Sequence, residues 1–157
     1  MKRKIYLETT IASYLSARRS RDLIVAAHQE LTAEWWETQR ERFELFVSDL
    51  VLQEASRGDA LAAARRMDLL KHIPVLRTGD EANQIAELLI QAGLIPERSG
   101  ADALHVAIAT AQGIEFLLTW NCRHIANAEI CERLETLLSE LGYRMPIICT
   151  PEQLMGS

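Results

Sequence analysis

Cysteine is scarce in this 157-residue chain, and the three residues present are poorly spaced for structural work. Cys122, Cys131 and Cys149 form an odd set with no C-x-x-C pair, which fits neither a disulfide framework nor a zinc knuckle and makes the cytosol the natural compartment. Cys122 and His124 stand two apart, but no other Cys or His lies near them in sequence to complete a zinc site. Basic charge is also short. Lys and Arg number 17 against 22 Asp and Glu, a formal charge of −5, so the surface is not basic all over and any grip on phosphate must come from a local patch or from metal ions. No apolar run approaches the roughly 20 residues of a membrane helix. The opening MKRKIYLETT starts basic, like a secretory signal, but Glu8, Thr9 and Thr10 stop its apolar stretch too early. Repeats, linkers and low-complexity tracts are missing as well. The reading is a soluble, cytoplasmic protein with no membrane association.

What is present is apolar: 48% of residues are hydrophobic, enough to bury a full core in one compact domain over residues 1–157. Residues 4–7 read as a buried strand. Ser20 offers an N-cap to a helix ending near Arg40, in which Leu23, Ala27, Leu31 and Trp35 recur every fourth residue. FELFVS reads as a second strand, and Ser48 caps a short helix, DLVLQEASR, stopped by Gly58. An Ala-rich helix is expected over about 59–71, a strand over 73–76 and a helix from about 80 to 92. A loop with Pro96 and Gly100 leads into the helix ADALHVAIATAQ, closed by Gly113. IEFLLTW, at 114–120, is the most strand-like segment of the chain; a helix over about 128–141 and the strand PIIC complete it. Strands alternating with helices across connections long enough for crossovers argue for an α/β sandwich on a mostly parallel sheet. In such sheets ligands collect at the carboxyl edge of the strands, so chemistry is sought at strand exits and helix starts.

Four positions meet that description. Glu8 lies at the exit of strand one. Glu54 shares a helix face with Leu50 and Val51, its i−4 and i−3 neighbours. Asp102 falls in the first turn of its helix, and Thr119 with Asn121 closes the fourth strand. Each has a plainer reading: Ser99 and Asp102 have the spacing of a capping box, Glu54 can pair with Arg57, and Asn121 suits a turn. Together they offer what a hard divalent cation needs, because magnesium takes oxygen ligands and relieves the repulsion between crowded carboxylates. A cation would also explain how an acidic protein attracts a polyanion.

These residues carry a likeness. The strand ending YLETT, then SDLVLQEASRGD, then SGADALHVAIATAQGIEFLLTWNCRHIANA resembles the PIN domain, in particular the VapC-type ribonuclease toxins of bacterial toxin–antitoxin pairs. It extends from about residue 4 to 150 and is most specific in ADALHVAIA leading into FLLTWN. The resemblance implies a three-layer α/β/α sandwich with about five parallel strands and an acidic pocket that binds magnesium or manganese. By position Glu8, Glu54 and Asp102 take the three acidic places, Asn121 stands where a fourth acid is common, and Thr9 and Thr119 fall where a pocket hydroxyl is frequent. Two departures stand out: Glu8 replaces the usual Asp, and Asn121 is neutral, which favours a one-metal or substrate-completed site. The implied activity is metal-dependent hydrolysis of RNA, with Glu8 and Asp102 holding the ion, Glu54 completing its shell or orienting water, and Asn121 donating to a phosphate oxygen. The implied partners are a cognate antitoxin and a second copy of the chain in a homodimer. The apolar stripe of the helix at 22–40 would supply such a contact, or pack internally.

Arg18, Arg19 and Arg21, on an expected loop, and Arg123 with His124, beyond Asn121, are candidate phosphate contacts or solvated charges. His105, one turn from Asp102, would either buttress that acid or sit satisfied in the core. Trp35 and Trp36 read as packing rather than as a stacking platform. Two rivals remain: an inactive PIN-like binding module, and a different α/β phosphate enzyme such as a phosphatase or receiver. The second rival wants a D-x-D nucleophile after strand one, where the chain has LETT.

Overall fold

The computed structural model describes residues 1–156. Its centre is a parallel sheet of five strands in the order β3-β2-β1-β4-β5. They are β1 (Arg3–Leu7), β2 (Phe43–Ser48), β3 (Val75–Leu76), β4 (Phe116–Leu118) and β5 (Ile147–Cys149). All four pairings are parallel, so the sheet expected to be mostly parallel is wholly so. The middle strands are buried on both faces, as a parallel sheet between helical layers requires: Ile5, Tyr6, Leu117 and Leu118 are each 0% exposed.

Among the described residues seven α-helices cover the sheet: α1 (Thr9–Ser16), α2 (Leu23–Thr38), α3 (Asp49–Ala55), α4 (Ala60–Leu70), α5 (Asp80–Gln91), α6 (Gly100–Ala111) and α7 (Ala128–Glu140). Helix α1 packs against α2, α3 and α4, while α5 and α6 pack on one another. Among the described residues no helix is long and apolar enough to cross a membrane. Helix α6 ends as glycine allows: Gly113, at φ +67°, lets the Ile114 N–H reach back to Ala109 O at 3.0 Å. That reversal aims the chain straight into β4.

Several expectations need correction. Helix α1 is not marked by spacing, because TTIASYLS is short and carries an apolar run on from the strand. Asp22, not Ser20, caps α2: its side chain accepts from Val25 N, and Ser20 Oγ accepts from Asp22 N instead. Nor does the every-fourth-residue row of α2 face the core as one stripe. Four residues turn a helix through about 400°, so the row drifts by about 40° per step, and Leu23 points about 120° away from Trp35. Trp35 is accordingly buried while Leu23 is 85% exposed. Strands β3 and β4 are shorter than their apolar runs, because pairing stops before the apolar residues do.

The topology places the site. From β1 the chain crosses to β2 on one side and later returns to β4 on the other, so the carboxyl ends of β1 and β4 flank the point where strand order reverses. Crossovers that leave in opposite directions open a crevice there. Leu7 pairs with Leu118, and Glu8 N donates to Leu118 O at 3.0 Å, which sets Glu8 and Thr119 side by side at the mouth.

Packing predicts an asymmetry in the core. Leu117→Ala, on a fully buried interior strand, is expected to cost about 2–5 kcal/mol in urea denaturation, whereas Leu88→Ala, 39% exposed on α5, should stay within about 1 kcal/mol of the parent.

Candidate active site

Glu8 is only 5% exposed, and it is held rather than solvated. It is the N-cap of α1, with an extended backbone and its Oε1 accepting from Thr10 N at 3.1 Å. The same oxygen accepts from the Thr10 hydroxyl and from Thr119 Oγ1, the latter at 2.7 Å. Thr10 Oγ1 in turn accepts from Trp120 N at 2.9 Å, and Thr119 Oγ1 from Asn121 N at 2.9 Å. The hydroxyls thus lace the start of α1 to the exit of β4 through one carboxylate oxygen. Glu8 Oε2 accepts no hydrogen bond from the described residues.

Glu54 comes from α3, whose start is set by Ser48: its hydroxyl accepts from Val51 N at 3.1 Å, as the sequence predicts. Its Oε1 accepts from Thr9 Oγ1 and from His105 Nε2, each at 2.6 Å, and its Oε2 is uncommitted. Burial opposes the charge on Glu54. The hydrogen bonds from His105 and Thr9 and the charge of Arg57 outweigh it and hold the carboxyl below its ordinary range. Glu54 is therefore an anion at neutral pH.

One ligating atom each from Glu8, Glu54 and His105 lie within 4.8 Å of one another. Asp102 is half-exposed in the first turn of α6, one turn before His105, and lies outside that group. Ser99 makes no side-chain cap to α6, so the capping-box alternative for Asp102 is not formed. His105 does not buttress Asp102. It is 1% exposed and joins Tyr6 Oη, at 2.6 Å from its Nδ1, to Glu54. Asn121 Oδ1 accepts from His124 N at 3.0 Å and so shapes the turn after β4, while its amide nitrogen has no protein partner. Arg123 is exposed and His124 half-exposed. Arg19 pairs with Glu30 at 2.5 Å, so the arginine cluster at 18–21 is partly neutralised by α2. Trp35 is buried against Phe43, as packing predicts.

Tyr6, Ser48, Thr10 and the Glu54 bond of His105 were not legible as site features. Tyr6 lies within a buried strand, and burial pushes its hydroxyl well above the usual tyrosine range; the Ser48 bond pulls the other way, and Glu8, Glu54 and Asp49 add to the rise. It therefore remains a donor. The donor set fits a hard divalent ion: two carboxylates each offer one oxygen free of protein donors, and the nearby imidazole nitrogen is already bonded to a carboxylate.

Comparison with known proteins bears on the fold and the family. No curated protein matches the chain. Among solved structures, VapBC2 from Rickettsia felis, crystallised with a DNA fragment from its promoter, aligns with 94% of this chain and 98% of its own at 16% identity, with a TM-score of 0.58. VapC20 from Mycobacterium tuberculosis, described as a toxin that cleaves the sarcin-ricin loop, covers 76% of this chain and 92% of its own at 20% identity, with a TM-score of 0.58. VapBC-1 from nontypeable Haemophilus influenzae covers 95% and 98% at 15% identity, with a TM-score of 0.57. At these identities the likeness is one of fold. The PIN domain family profile matches residues 5–129, from β1 into the first turn of α7 and across every residue of the acidic cluster; the chain belongs to the PIN domain family.

Proposed function

We propose that the protein is a metal-dependent endoribonuclease acting as the toxin of a toxin–antitoxin pair. One arrangement carries the reading. Glu8 and Glu54 meet at the reversal of strand order, each with one oxygen committed to protein donors and the other uncommitted. Glu8 and Glu54 would hold Mg2+ or Mn2+, with Asp102 contributing from the first turn of α6. A divalent cation bound there supplies Lewis-acid polarisation of a phosphodiester and local positive charge on an acidic protein.

The chain's own groups do the positioning. Thr10 and Thr119 hold Glu8, and Thr9 and His105 hold Glu54, so neither carboxylate needs to reorganise when it takes up its role. The free amide of Asn121 would donate to a phosphate oxygen, and Arg123 and His124, just beyond, would meet the flanking backbone. RNA as substrate is supported by the activity ascribed to the Mycobacterium tuberculosis neighbour, and an antitoxin partner by the two VapBC assemblies. Leu23 and Ile24, 85% and 69% exposed at the start of α2, suit an apolar contact with such a partner. A homodimer and a cytoplasmic location complete the proposal.

Incubating the purified protein with single-stranded RNA and a tRNA pool tests it. Cleavage should require Mg2+ or Mn2+, stop with chelator, and fall to background in Asp102→Ala and Glu54→Gln proteins that fold as the parent does. Undiminished cutting in chelator would remove the metal from the mechanism. A wild-type rate in Asp102→Ala would remove that acid, and no cutting under any condition would favour the inactive binding module.

The clamp on Glu8 can be measured separately. Thr119→Val keeps the shape of a fully buried side chain but leaves the carboxylate one donor short and Asn121 N–H without its acceptor. A loss of about 1–3 kcal/mol in urea denaturation is expected, with Thr119→Ser close to the parent. Equal stability of Thr119→Val and parent would show that the clamp contributes nothing.

A further inference from the structure

Behind Glu54 the bond from His105 continues into a buried line of hydrogen bonds that runs through Tyr6 to Ser48. Ser48 Oγ is 2.8 Å from Tyr6 Oη, Tyr6 Oη is 2.6 Å from His105 Nδ1, and His105 Nε2 is 2.6 Å from Glu54 Oε1. Ser48 and Tyr6 are 0% exposed and His105 is 1% exposed, so every proton in the line must find its acceptor within the protein.

Counting those protons gives the line a direction. A carboxylate only accepts, so Nε2 carries a hydrogen and donates to Glu54. Ser48 Oγ already accepts from Val51 N, an amide that only donates. The serine's own proton is left with one acceptor among its partners, Tyr6 Oη. The tyrosine proton then goes to Nδ1. All three groups are satisfied when hydrogen bonds run from Ser48 through Tyr6 and His105 to Glu54, and the reverse order would leave the Ser48 proton without an acceptor.

We propose that Tyr6 and His105 are positioning residues for Glu54, holding its Oε1 to the protein so that Oε2 stays free for a cation. The proposal rests on reading Glu54 as part of a metal-dependent site. Packing alone does not account for the pair. Tyr6 and His105 meet edge to face, with centroids 5.8 Å apart, an arrangement that apolar rings make without burying a phenol and an imidazole. Polar groups behind a metal-binding carboxylate fix its orientation, and their loss typically weakens metal binding by about 10–100-fold.

The test measures Mn2+ binding to the full chain by calorimetry without RNA, for the parent and for Tyr6→Phe, His105→Leu, His105→Gln and Glu54→Gln, with circular dichroism and thermal unfolding reporting the fold. Long-range proton–nitrogen NMR reads the tautomer of His105. The parent should show one tautomer, protonated at Nε2. Tyr6→Phe should fold as the parent, keep the Nε2–H tautomer that Glu54 imposes and bind Mn2+ about 10-fold more weakly. His105→Leu should lose more, and His105→Gln, whose amide N–H can still donate to Glu54, should recover the larger part of that loss. If His105→Leu does not fold, the Tyr6→Phe and His105→Gln comparison decides alone. Parent-like Mn2+ binding in Tyr6→Phe would overturn the proposal. So would a silent Tyr6→Phe with no rescue by His105→Gln, since the imidazole would then ligate the ion itself. Undiminished Mn2+ binding and cleavage in Glu54→Gln is a different failure: it sinks the metal-site reading, and the positioning role with it.

Discussion

A carboxylate buried to 5% exposure at the end of the central strand is the constraint from which the carboxyl edge of this sheet is built. Taking an ionised carboxylate out of water costs several kcal/mol unless donors replace the lost hydration. Here the donors come from two elements far apart in sequence, Thr10 at the start of α1 and Thr119 at the exit of β4. Both threonines accept as well as donate, from Trp120 N and Asn121 N. The anion therefore organises the turn out of β1 and the turn out of β4 together. Charge-assisted bonds of this kind are stronger than neutral ones, so the groups that prepare the site also join the two sides of the crevice.

The second acid is treated in the same way from the other side. Glu54 Oε1 is taken by Thr9 and His105, and Glu8 Oε1 by Thr10 and Thr119, so the hydroxyls that follow β1 in sequence serve different carboxylates. Two anions with oxygens within 4.8 Å repel by on the order of 3 kcal/mol at the effective dielectric of a protein site. Donors on the clamped oxygens offset part of this. On the proposed reading the remainder is what a divalent cation relieves, and the acidity that should repel RNA becomes the means of recruiting it. A net charge of −5 is then no obstacle to a polyanionic substrate.

How much of this was readable from the chain depended on the range of the interaction. Alternation of strand and helix gave the layered parallel architecture, and Ser48 as a cap and Trp35 as core followed from local spacing. Glu8 and Glu54 could be singled out because an acid at a strand exit and an acid on an apolar helix face are each unusual. Their meeting is not legible in the spacing, since 45 residues of intervening chain separate them, and it was the family resemblance that implied it. Tyr6 and His105 were hidden for a different reason. In a strand or helix buried on all sides, a tyrosine or histidine that fills space and one that aims a hydrogen bond have the same pattern in sequence. Helix α2 misled for a geometric reason, since a row of every fourth residue winds away from the core, and Leu23 is left in solvent.

Glu8 is the departure from the family pattern that most needs a physical account. Helix N-caps favour Asp, Asn, Ser and Thr, whose short side chains reach the first-turn amides, and a glutamate there has an additional rotatable bond to restrain. In this chain the extra methylene is not slack. From the cap position Oε1 reaches the Thr10 amide and hydroxyl and also Thr119 on the neighbouring strand, and the three donors remove the freedom that the longer side chain brings. An aspartate at the same backbone position would be one carbon shorter, and Thr119, fully buried, would have to seek another acceptor or remain unpaired. Glu8, Thr10 and Thr119 are in this sense a matched set, in which the length of the acid is complemented by hydroxyls on both sides of the crevice. The longer acid extends the anchoring of the carboxylate from the Thr10 amide to hydroxyls on both sides, while still leaving one oxygen without a donor among the described residues.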